Sequence, residues 1–297
     1  MHKKGVKLME QLTIIKAYKD NAAVRHSFNQ LTQDIFGFDF EDWYENGYWR
    51  DNYIPYSIWN GERIVANVSV NLMEFVWDGA EKRYIQLGTV MTDKSYRGRG
   101  LIRRLMMEIN KDFEGKAEAV YLFANNSVLD FYPKFGFVRA DQYQYVREVE
   151  NQGEKTVHRV DMDNKAEWKK LESAIGSSVC DSRLTMKNNI GLFMFYVTKF
   201  MRQDVYYVED SQSYVIAEED KGELVIYNIF SETEADLDGI IRAFGREIKK
   251  VRLGFVPRNA KGYLTEKITE DTTLFIKGKG LEGFSQGEMM FPFLSHA

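Results

Sequence analysis

The sequence predicts a mixed α/β fold in which two similar halves follow one another along the chain. Strand-like and helix-like segments alternate, and a polar break lies near the middle. Both halves also open alike, with a short apolar strand, a polar turn and a helical pattern, at residues 13–36 and 157–175. We therefore expect two domains, 1–150 and 151–297, each with a mixed, mostly antiparallel sheet flanked by helices.

The first half continues with extended segments. Residues 53–79 contain two apolar runs joined by Asn60-Gly61, a strong hairpin signal, and residues 82–92 form a further strand. Apolar residues at helical spacing follow Gly100, and the apolar run 119–124 fits a central strand. A short helix is expected at residues 127–135, and closing strands at 136–149.

The polar, glycine-containing segment 150–155 separates the halves, and segments of this composition are typical of connections. The second half then repeats the outline. We expect strands at 204–210, 213–220, 223–230 and 250–256, a helix at 234–248, and closing strands at 273–278 and 289–294.

Composition limits the classes of protein. The 297 residues are 44% hydrophobic and carry a formal net charge of -4, which argues against a general nucleic-acid binder. Cys180 is the only cysteine, so no internal disulfide can form, and the four scattered histidines give no zinc site. The apolar run near the N-terminus is too short for a signal peptide, and no window approaches a membrane span. We expect a cytoplasmic protein without a metal, whose partners include neither nucleic acid nor membrane.

The segment 93–104, which reads DKSYRGRGLIRR, leads from a strand into a helical pattern. A helix start offers free N–H groups and the positive end of the helix dipole, so anions bind there. Gly98 and Gly100 lack Cβ atoms, which lets a phosphate approach the backbone, while Arg97 and Arg99 add positive charge. The pattern is neither a Walker A loop nor a G-x-G-x-x-G loop. A plain turn with solvated arginines is the alternative interpretation.

Two motifs together resemble the GCN5-related N-acetyltransferases, the GNAT family. The YRGRG run at 96–100 is similar to that family's coenzyme A loop, although Ser95 departs from the strict form. Residues 125–137 are similar to its second element, with Val128 in place of an alanine. The matching residues of this element are Asn125, Tyr132, Lys134, Gly136 and Phe137. The resemblance covers residues 12–149 and implies two GNAT-like domains.

The resemblance also implies a site for acetyl-CoA. The backbone of a strand would pair with the pantetheine arm, through Val90, Met91 and Thr92. The pyrophosphate would lie against the loop and helix start, formed by Arg97, Gly98, Arg99, Gly100, Leu101, Ile102 and Arg103. Asn125 and Ser127 would lie beside the pantetheine.

Tyr132 matches the family's tyrosine, which protonates the departing thiolate. A phenol with a pKa of about 10 can act as this proton donor. A core aromatic whose hydroxyl bonds to the backbone is the alternative. No general base is evident, and the candidates are Glu74, His26, the C-terminal carboxylate of Ala297, and water.

A narrower resemblance links the N-terminal half to the enhanced-intracellular-survival type of aminoglycoside acetyltransferases. Those chains carry a second, GNAT-like domain without a working coenzyme site, and a sterol-carrier-like third domain for which this chain is too short. Their C-terminal carboxylate serves as the base, which implies the candidate role of Ala297. Tandem acetyltransferases of the mycothiol-synthase type match the length better, but no motif indicates them.

The second half lacks the coenzyme loop. Residues 231–241 contain no glycine pair and no arginine, and Glu232, Glu234 and Asp236 would repel a pyrophosphate. We therefore expect one coenzyme per chain, held by the first domain.

Acceptor binding is suggested by residues 36–53, where acidic and aromatic side chains mix in a way that suits a cationic amine. An amphipathic helix that covers the core is the alternative. The aromatic members are Phe38, Phe40, Trp43, Tyr44 and Trp49, and the acidic ones are Asp39, Glu41, Asp42 and Glu45.

The sequence therefore predicts an acetyl-CoA-dependent N-acetyltransferase acting by direct transfer on a primary amine of a small molecule. The acceptor would be aminoglycoside-like or polyamine-like. The alternative is a non-catalytic acyl-CoA-binding sensor or interaction protein with the same fold. The sequence indicates no oligomeric state.

Overall fold

The computed structural model describes residues 11–179, 182–269 and 272–297. Cys180 and the first ten residues, on which the disulfide and signal-peptide predictions depend, lie outside them. The described residues form two compact units. The first comprises the residues up to Asn71 together with Leu87–Lys116, and the second comprises Leu72–Gln86 and the residues from Ala117 onward.

Strands and helices alternate along the described residues. The strands are β1 (Thr13–Lys16), β2 (Tyr53–Trp59), β3 (Ile64–Trp77), β4 (Ala80–Thr92), β5 (Ala119–Asn125), β6 (Val138–Ala140), β7 (Tyr143–Glu148), β8 (His158–Arg159), β9 (Leu184–Lys187), β10 (Val205–Val208), β11 (Ser213–Asp220), β12 (Glu223–Phe230), β13 (Lys250–Leu253), β14 (Leu264–Lys267) and β15 (Thr272–Lys277). The helices are α1 (Ala22–Phe36), α2 (Glu41–Glu45), α3 (Leu101–Phe113), α4 (Lys165–Ser177), α5 (Ile190–Lys199) and α6 (Leu237–Ala243).

The first unit contains the antiparallel strands β1 and β2, the beginning of β3 and the end of β4. The β2–β3 hairpin forms at the predicted Asn60-Gly61, where Asn60 N–H donates to the Arg63 carbonyl and Gly61 has φ 101°. Helix α1 begins at Asn21, whose side chain accepts from Val24 N–H at 3.2 Å, and ends at Gly37 in the left-handed region.

The second unit contains the rest of this first sheet. There β9 pairs with β3, β4 runs parallel to β5, and β15 lies between β5 and β6. The second sheet lies wholly within the same unit and has the strand order β14-β7-β13-β12-β11-β10-β8.

Both sheets repeat one connection. Helix α3 links the parallel strands β4 and β5, and α6 links the parallel strands β12 and β13. The remaining strand pairs recorded for the described residues are antiparallel. The predicted fold class, two mixed and mostly antiparallel sheets flanked by helices, is confirmed.

Two predictions about closing strands are wrong. Strand β7, expected to close the first sheet, pairs with β13 and β14 in the second. Strand β15, expected in the second sheet, pairs with β5 and β6 in the first. The first sheet thus includes β9 and β15 from beyond residue 150, and the second includes β7 from before it. The domain boundary at that residue stays a prediction.

Two smaller elements also differ. Residues 289–294 form no strand, since only a 3₁₀ turn at Phe293–Ser295 is present there. The short helix expected at 127–135 is replaced by two 3₁₀ turns, Asn126–Val128 and Tyr132–Phe135. Pro133 lies within the second turn, and its missing N–H disfavours a continuous α-helix.

Candidate coenzyme site

The loop before α3 has the backbone shape that an anion cradle requires. Gly98 and Gly100 have φ values of 74° and 72°, in the left-handed region that glycine adopts without strain. Gly100 is the N-cap of α3, and no side chain caps the helix there. The first N–H groups of α3, from Leu101 to Arg103, have no acceptor within the helix by geometry. The loop therefore offers unshielded N–H donors at the positive end of a 13-residue helix.

Asp93 fixes the shape of the start of the loop. Its carboxylate accepts from the Ser95 N–H at 2.8 Å and the Ser95 hydroxyl at 2.5 Å, and it pairs with Arg63 at 2.6 Å. The Ser95 hydrogen bonds, followed by the Arg63 bond, lower the pKa of Asp93 to about 2. Tyr96 is buried next to this turn, and its hydroxyl accepts from the Asn60 side chain at 2.8 Å. The loop is anchored at both its carboxylate and its aromatic residue.

The arginines of the loop are exposed to solvent. The Arg99 guanidinium lies 4.4 Å from the centre of the Tyr96 ring and donates to the Ser95 carbonyl at 3.2 Å. Arg97 Nε lies 3.5 Å from the Thr92 carbonyl, and Arg103 is exposed on the first turn of α3. These contacts leave positive charge around the helix start.

The strand that leads into the loop, β4, contains the predicted pantetheine segment. Within the described part of the chain, the β4–β5 ladder consists of three pairs in the second unit and ends at Gln86↔Tyr121. Val90, Met91 and Thr92 follow in the first unit, where Asp93 N–H donates to the Val65 carbonyl on the β3 side. The predicted pantetheine segment thus lies beyond the end of the β5 ladder.

Thr89, directly before this segment, has a strained backbone. Its φ is 47°, which is rare for a β-branched residue inside a strand. Such a conformation costs on the order of 1–3 kcal/mol. The Thr89 carbonyl accepts from Asn67 Nδ2 at 2.9 Å, and its hydroxyl bonds to the Tyr53 hydroxyl at 2.8 Å. At about 0.5–1.5 kcal/mol each, two hydrogen bonds are of the size needed to offset the strain.

These hydrogen bonds belong to a closed ring, which we call the Thr89 network: Tyr53, Asn67, Ser69 and Thr89. Asn67 Nδ2 also donates to Ser69 Oγ at 2.9 Å, and Ser69 Oγ donates to the Tyr53 hydroxyl at 2.9 Å. Asn67 and Ser69 are fully buried, and Tyr53 is 5% exposed. The sequence analysis missed this network. The signal for it is the pair of small polar residues on alternate positions of an otherwise apolar strand.

The residues expected beside the pantetheine form a local turn in the second unit. Asn125 ends β5, and its side-chain oxygen accepts from the Ser127 N–H at 3.2 Å and the Ser127 hydroxyl at 2.5 Å. Both residues are exposed. The turn is therefore preformed at the end of the strand.

Tyr132 lies in a mostly apolar part of the second unit. It is 4% exposed, and its ring contacts Phe131, Phe137 and Phe275 at centroid distances of 5.2, 6.2 and 5.6 Å. Burial raises the pKa of Tyr132 to about 12. None of the described residues forms a hydrogen bond with the Tyr132 hydroxyl. The alternative interpretation required such a bond to the backbone. The phenol therefore keeps its proton at neutral pH and has a free donor.

The candidate bases lie in different surroundings. Glu74 is exposed and accepts from Asn188 Nδ2 at 2.6 Å, and His26 is exposed on α1. The Ala297 backbone oxygen lies 3.4 Å from Gln86 Nε2, at the end of the β4–β5 ladder. The choice among these groups and water stays open.

His296, next to this oxygen, is a feature that the sequence analysis did not single out. Its ring stacks on Phe123 of β5 at 3.7 Å, and its carbonyl accepts from the Tyr196 hydroxyl at 2.5 Å. Burial lowers the pKa of His296 to about 3, so the imidazole is neutral at physiological pH.

The aromatic segment 36–53 belongs to the core of the first unit. Phe40, Trp43 and Trp49 are 5%, 7% and 3% exposed, and Phe40 and Trp49 pack against the fully buried Phe28. Among the acidic residues, Glu41 is neutralised by an ion pair with Arg25 at 2.8 Å. These contacts favour the covering-helix interpretation over an acceptor site built on these aromatics.

The corresponding loop of the second sheet, Ser231–Asp236, is occupied by other parts of the chain. The Ser231 carbonyl accepts from Val179 N–H at 2.9 Å, and Ser231 N–H donates to Ser178 Oγ at 3.2 Å. Glu232 accepts from the Ser177 hydroxyl at 2.9 Å. None of the described residues of this loop has a positive φ. The start of α6 also has no side-chain cap, but this loop lacks the two left-handed glycines of the cradle before α3.

Residues 17–140 match the family described as the acetyltransferase (GNAT) domain. This part of the chain is therefore a GNAT acetyltransferase domain, as its two motifs predict. No curated protein matches the sequence.

Solved structures share the fold over most of the chain. A probable N-acyltransferase from Enterococcus faecalis V583 has a TM-score of 0.60 at 15% identity, covering 92% of this chain and 74% of its own. A GCN5-related N-acetyltransferase from Kribbella flavida has a TM-score of 0.54 at 15% identity, with coverage of 90% and 72%. Eis1 from Mycobacterium abscessus has a TM-score of 0.53 at 12% identity, with coverage of 89% and 72%. At these identities the likeness shows the fold alone, and its coverage extends well beyond residues 17–140.

Neither a metal-ligand cluster nor a membrane-spanning helix is present among the described residues. No group of three or more His, Cys, Asp or Glu side chains is placed to hold a metal ion. No helix combines the length and the apolar character needed to cross a membrane.

Proposed function

We propose that the protein is an acetyl-CoA-dependent N-acetyltransferase that moves the acetyl group directly to a primary amine of a small molecule. The observation that carries the proposal is the loop before α3, where two left-handed glycines lead into an uncapped helix start inside the GNAT domain. The proposal assigns the pyrophosphate to this loop and the pantetheine to Val90–Thr92, Asn125 and Ser127.

In the proposed reaction, the amine nitrogen attacks the thioester carbonyl carbon and a tetrahedral intermediate forms. The carbon–sulfur bond then breaks, and the nitrogen loses a proton to a base or to water. Tyr132 donates its proton to the thiolate and recovers one from solvent, so the products are the amide and the free thiol. The phenol of Tyr132, whose pKa burial raises to about 12, is protonated throughout the neutral range, as a proton donor must be.

The acceptor class rests on the sequence resemblance. An aminoglycoside-like or polyamine-like compound is proposed, since it presents primary amines on a small framework. A non-catalytic acyl-CoA sensor is the competing function, and the same experiment separates the two.

The test is a panel of amines incubated with acetyl-CoA, with released thiol as the readout. The panel contains an aminoglycoside, a polyamine, amino acids and a peptide with a free N-terminus. Thiol release above the hydrolysis background with an aminoglycoside or a polyamine is expected. Turnover only with the amino acid or the peptide would leave the acetyltransferase but overturn its acceptor class.

Calorimetric titration with CoA provides the second measurement. Binding without turnover on any amine would overturn the enzyme proposal in favour of the sensor. Absence of binding would overturn both functions, since each needs the coenzyme.

A further inference from the structure

We infer that Tyr53 and Asn67 help to position the coenzyme. These two positioning residues act through the strained backbone of Thr89. This inference rests on the proposed function, because it concerns the strand segment Val90–Thr92 assigned to the pantetheine. Neither residue belongs to a motif of the resemblance, and neither is placed in contact with substrate.

The carbonyl and the hydroxyl of Thr89 each take part in a hydrogen bond. Together these two bonds hold the residue in the left-handed region. Asn67 holds its carbonyl at 2.9 Å and Tyr53 holds its hydroxyl at 2.8 Å. A threonine free of these bonds would return to the extended region, since its β-branched side chain disfavours a φ of 47°. The backbone shape at this position is thus imposed by the Thr89 network.

Burial makes the network specific. Asn67 and Ser69 are fully buried, so water cannot replace a partner that their side chains lose, whereas Thr89 is half-buried. The network extends further, because Asn67 Oδ1 accepts from the Ser57 hydroxyl at 2.8 Å, and Ser57 bonds to Tyr18 at 2.6 Å. Tyr18 belongs to the same buried chain of hydrogen bonds, but none of the bonds found for it reaches Thr89.

The consequence falls on the residues that follow. Successive residues of a strand face opposite sides, so a change of φ at Thr89 would turn the N–H and C=O groups of Val90, Met91 and Thr92. Those groups are the ones assigned to pair with the pantetheine. The Thr89 network therefore sets the direction of the edge that the coenzyme meets.

The deciding experiment compares Thr89→Val with Thr89→Gly. Valine keeps the β-branched shape and removes the bond to Tyr53, so the backbone strain is left without one of its two partners. Glycine removes the same bond but adopts a positive φ freely. We expect the Kd for CoA to rise by about tenfold or more in Thr89→Val and to stay within about threefold of the wild type in Thr89→Gly.

Tyr53→Phe and Tyr18→Phe form the matched pair of controls. Each removes one buried hydroxyl, and each is expected to lower the melting temperature. Only Tyr53→Phe is expected to raise the Kd for CoA and the KM for acetyl-CoA, with kcat less affected. In a Thr89→Gly background, Tyr53→Phe should leave the Kd within about twofold, because the strain it opposes is gone.

Several results would overturn the inference. Equal losses in Thr89→Val and Thr89→Gly would show that strain is not the link, and wild-type affinity in both would show that the network does not act on the site. If Thr89→Val does not fold, the Tyr53→Phe and Tyr18→Phe pair decides by itself, and equal affinities in that pair refute the inference. Failure of the wild-type protein to bind CoA would instead refute the proposed function and this inference with it.

Discussion

Helices α3 and α6 occupy corresponding places in the two sheets, and neither helix start carries a side-chain cap. The loops that lead into them differ, because two left-handed glycines, at 98 and 100, precede α3. The loop before α6 has acidic residues, no positive φ, and a backbone already bonded to residues 178 and 179. Helix α3 has 13 residues and α6 has seven.

The two sheets therefore share the same strand–helix–strand connection, but only the connection through α3 has the features of an anion site. The strand–helix–parallel strand unit is needed in both sheets to cover a face and to pair strands. An anion site needs more: backbone N–H groups that nothing else uses, and no negative charge beside them. The comparison therefore predicts a single coenzyme per chain.

The largest expected effect follows from filling the cradle. Gly98→Val combined with Gly100→Val should raise the Kd for CoA by at least about 100-fold, since valine disfavours both φ values and its side chain occupies the path of the phosphate. A Cβ at either position meets nothing within 4 Å, so the fold should persist. Calorimetric titration measures the affinity and also the stoichiometry, which should be one.

Gly115→Val is the matched control for this change. Gly115 has a φ of 73° and equally open space, but it lies beyond the other end of α3. It should carry a similar strain without a loss of affinity. Unchanged affinity in the double valine variant, or two coenzymes per chain, would break the comparison between the loops.

The next effect concerns the proton donor. Tyr132→Phe should lower kcat by about 100-fold while leaving the Kd for CoA unchanged, because only the departing thiolate needs the phenol. Tyr263→Phe, at the residue that precedes β14, is the matched control variant. Burial raises the pKa of Tyr263 to about 12 as well, and its buried hydroxyl has no hydrogen-bond partner among the described residues. Thiol release at saturating substrates should distinguish the two variants, and equal rates would remove Tyr132 from the mechanism.

The smallest effect concerns the two aspartates that precede the helices, Asp93 and Asp236. The pKa of Asp93 is lowered to about 2 from an ordinary value of 3.8, so its ionised form is stabilised by folding. This stabilisation, up to about 2 kcal/mol, is fully present above the ordinary value and is lost as the pH falls through the folded value.

Denaturation of Asp93→Asn at several pH values checks this sign. The wild type should exceed the variant in unfolding free energy by a constant amount from pH 8 to about pH 5, with the difference shrinking below about pH 4. Asp236→Asn is the comparison, since the Asp236 carboxylate forms an exposed ion pair with Arg242 at 3.3 Å. Its effect should stay within about 0.5 kcal/mol. A difference for Asp93 that grows as the pH falls would contradict the assignment.

The parts of the site that depend on local chemistry could be predicted from the sequence. Gly98 and Gly100 indicate a left-handed backbone, and Asn60-Gly61 indicates a hairpin. The glycines and the apolar spacing together predict that α3 starts at Leu101. Each is decided by neighbouring residues, so a short segment contains the information. The match over residues 17–140 confirms the family that the loop sequence indicates.

Strand partnership could not be predicted in the same way. Strands β7 and β15 carry the right composition for a sheet, but nothing in either segment states which sheet it joins. That choice depends on which edge is open when the chain returns, which is a long-range property.

The buried polar face of β3 could not be predicted for a different reason. Alternating apolar and polar residues normally indicate a strand with one face in water. Here Asn67 and Ser69 occupy the polar positions and are fully buried, because they bond to one another, and Asn67 also bonds to Thr89 and Ser69 to Tyr53. A periodic pattern predicts on which face of the sheet a side chain lies, but it does not predict whether that face is exposed to solvent.

The exchange of β7 and β15 has a consequence for synthesis on the ribosome. When residue 150 has been added, β5 and β6 exist but the strand that lies between them does not, because β15 begins at Thr272. The position between β5 and β6 in the first sheet therefore stays empty until nearly the whole polypeptide has emerged from the ribosome. If the chain were cut at residue 150, the first fragment would lack β9 and β15 and the second would lack β7, so each sheet could be completed only when the two fragments associate.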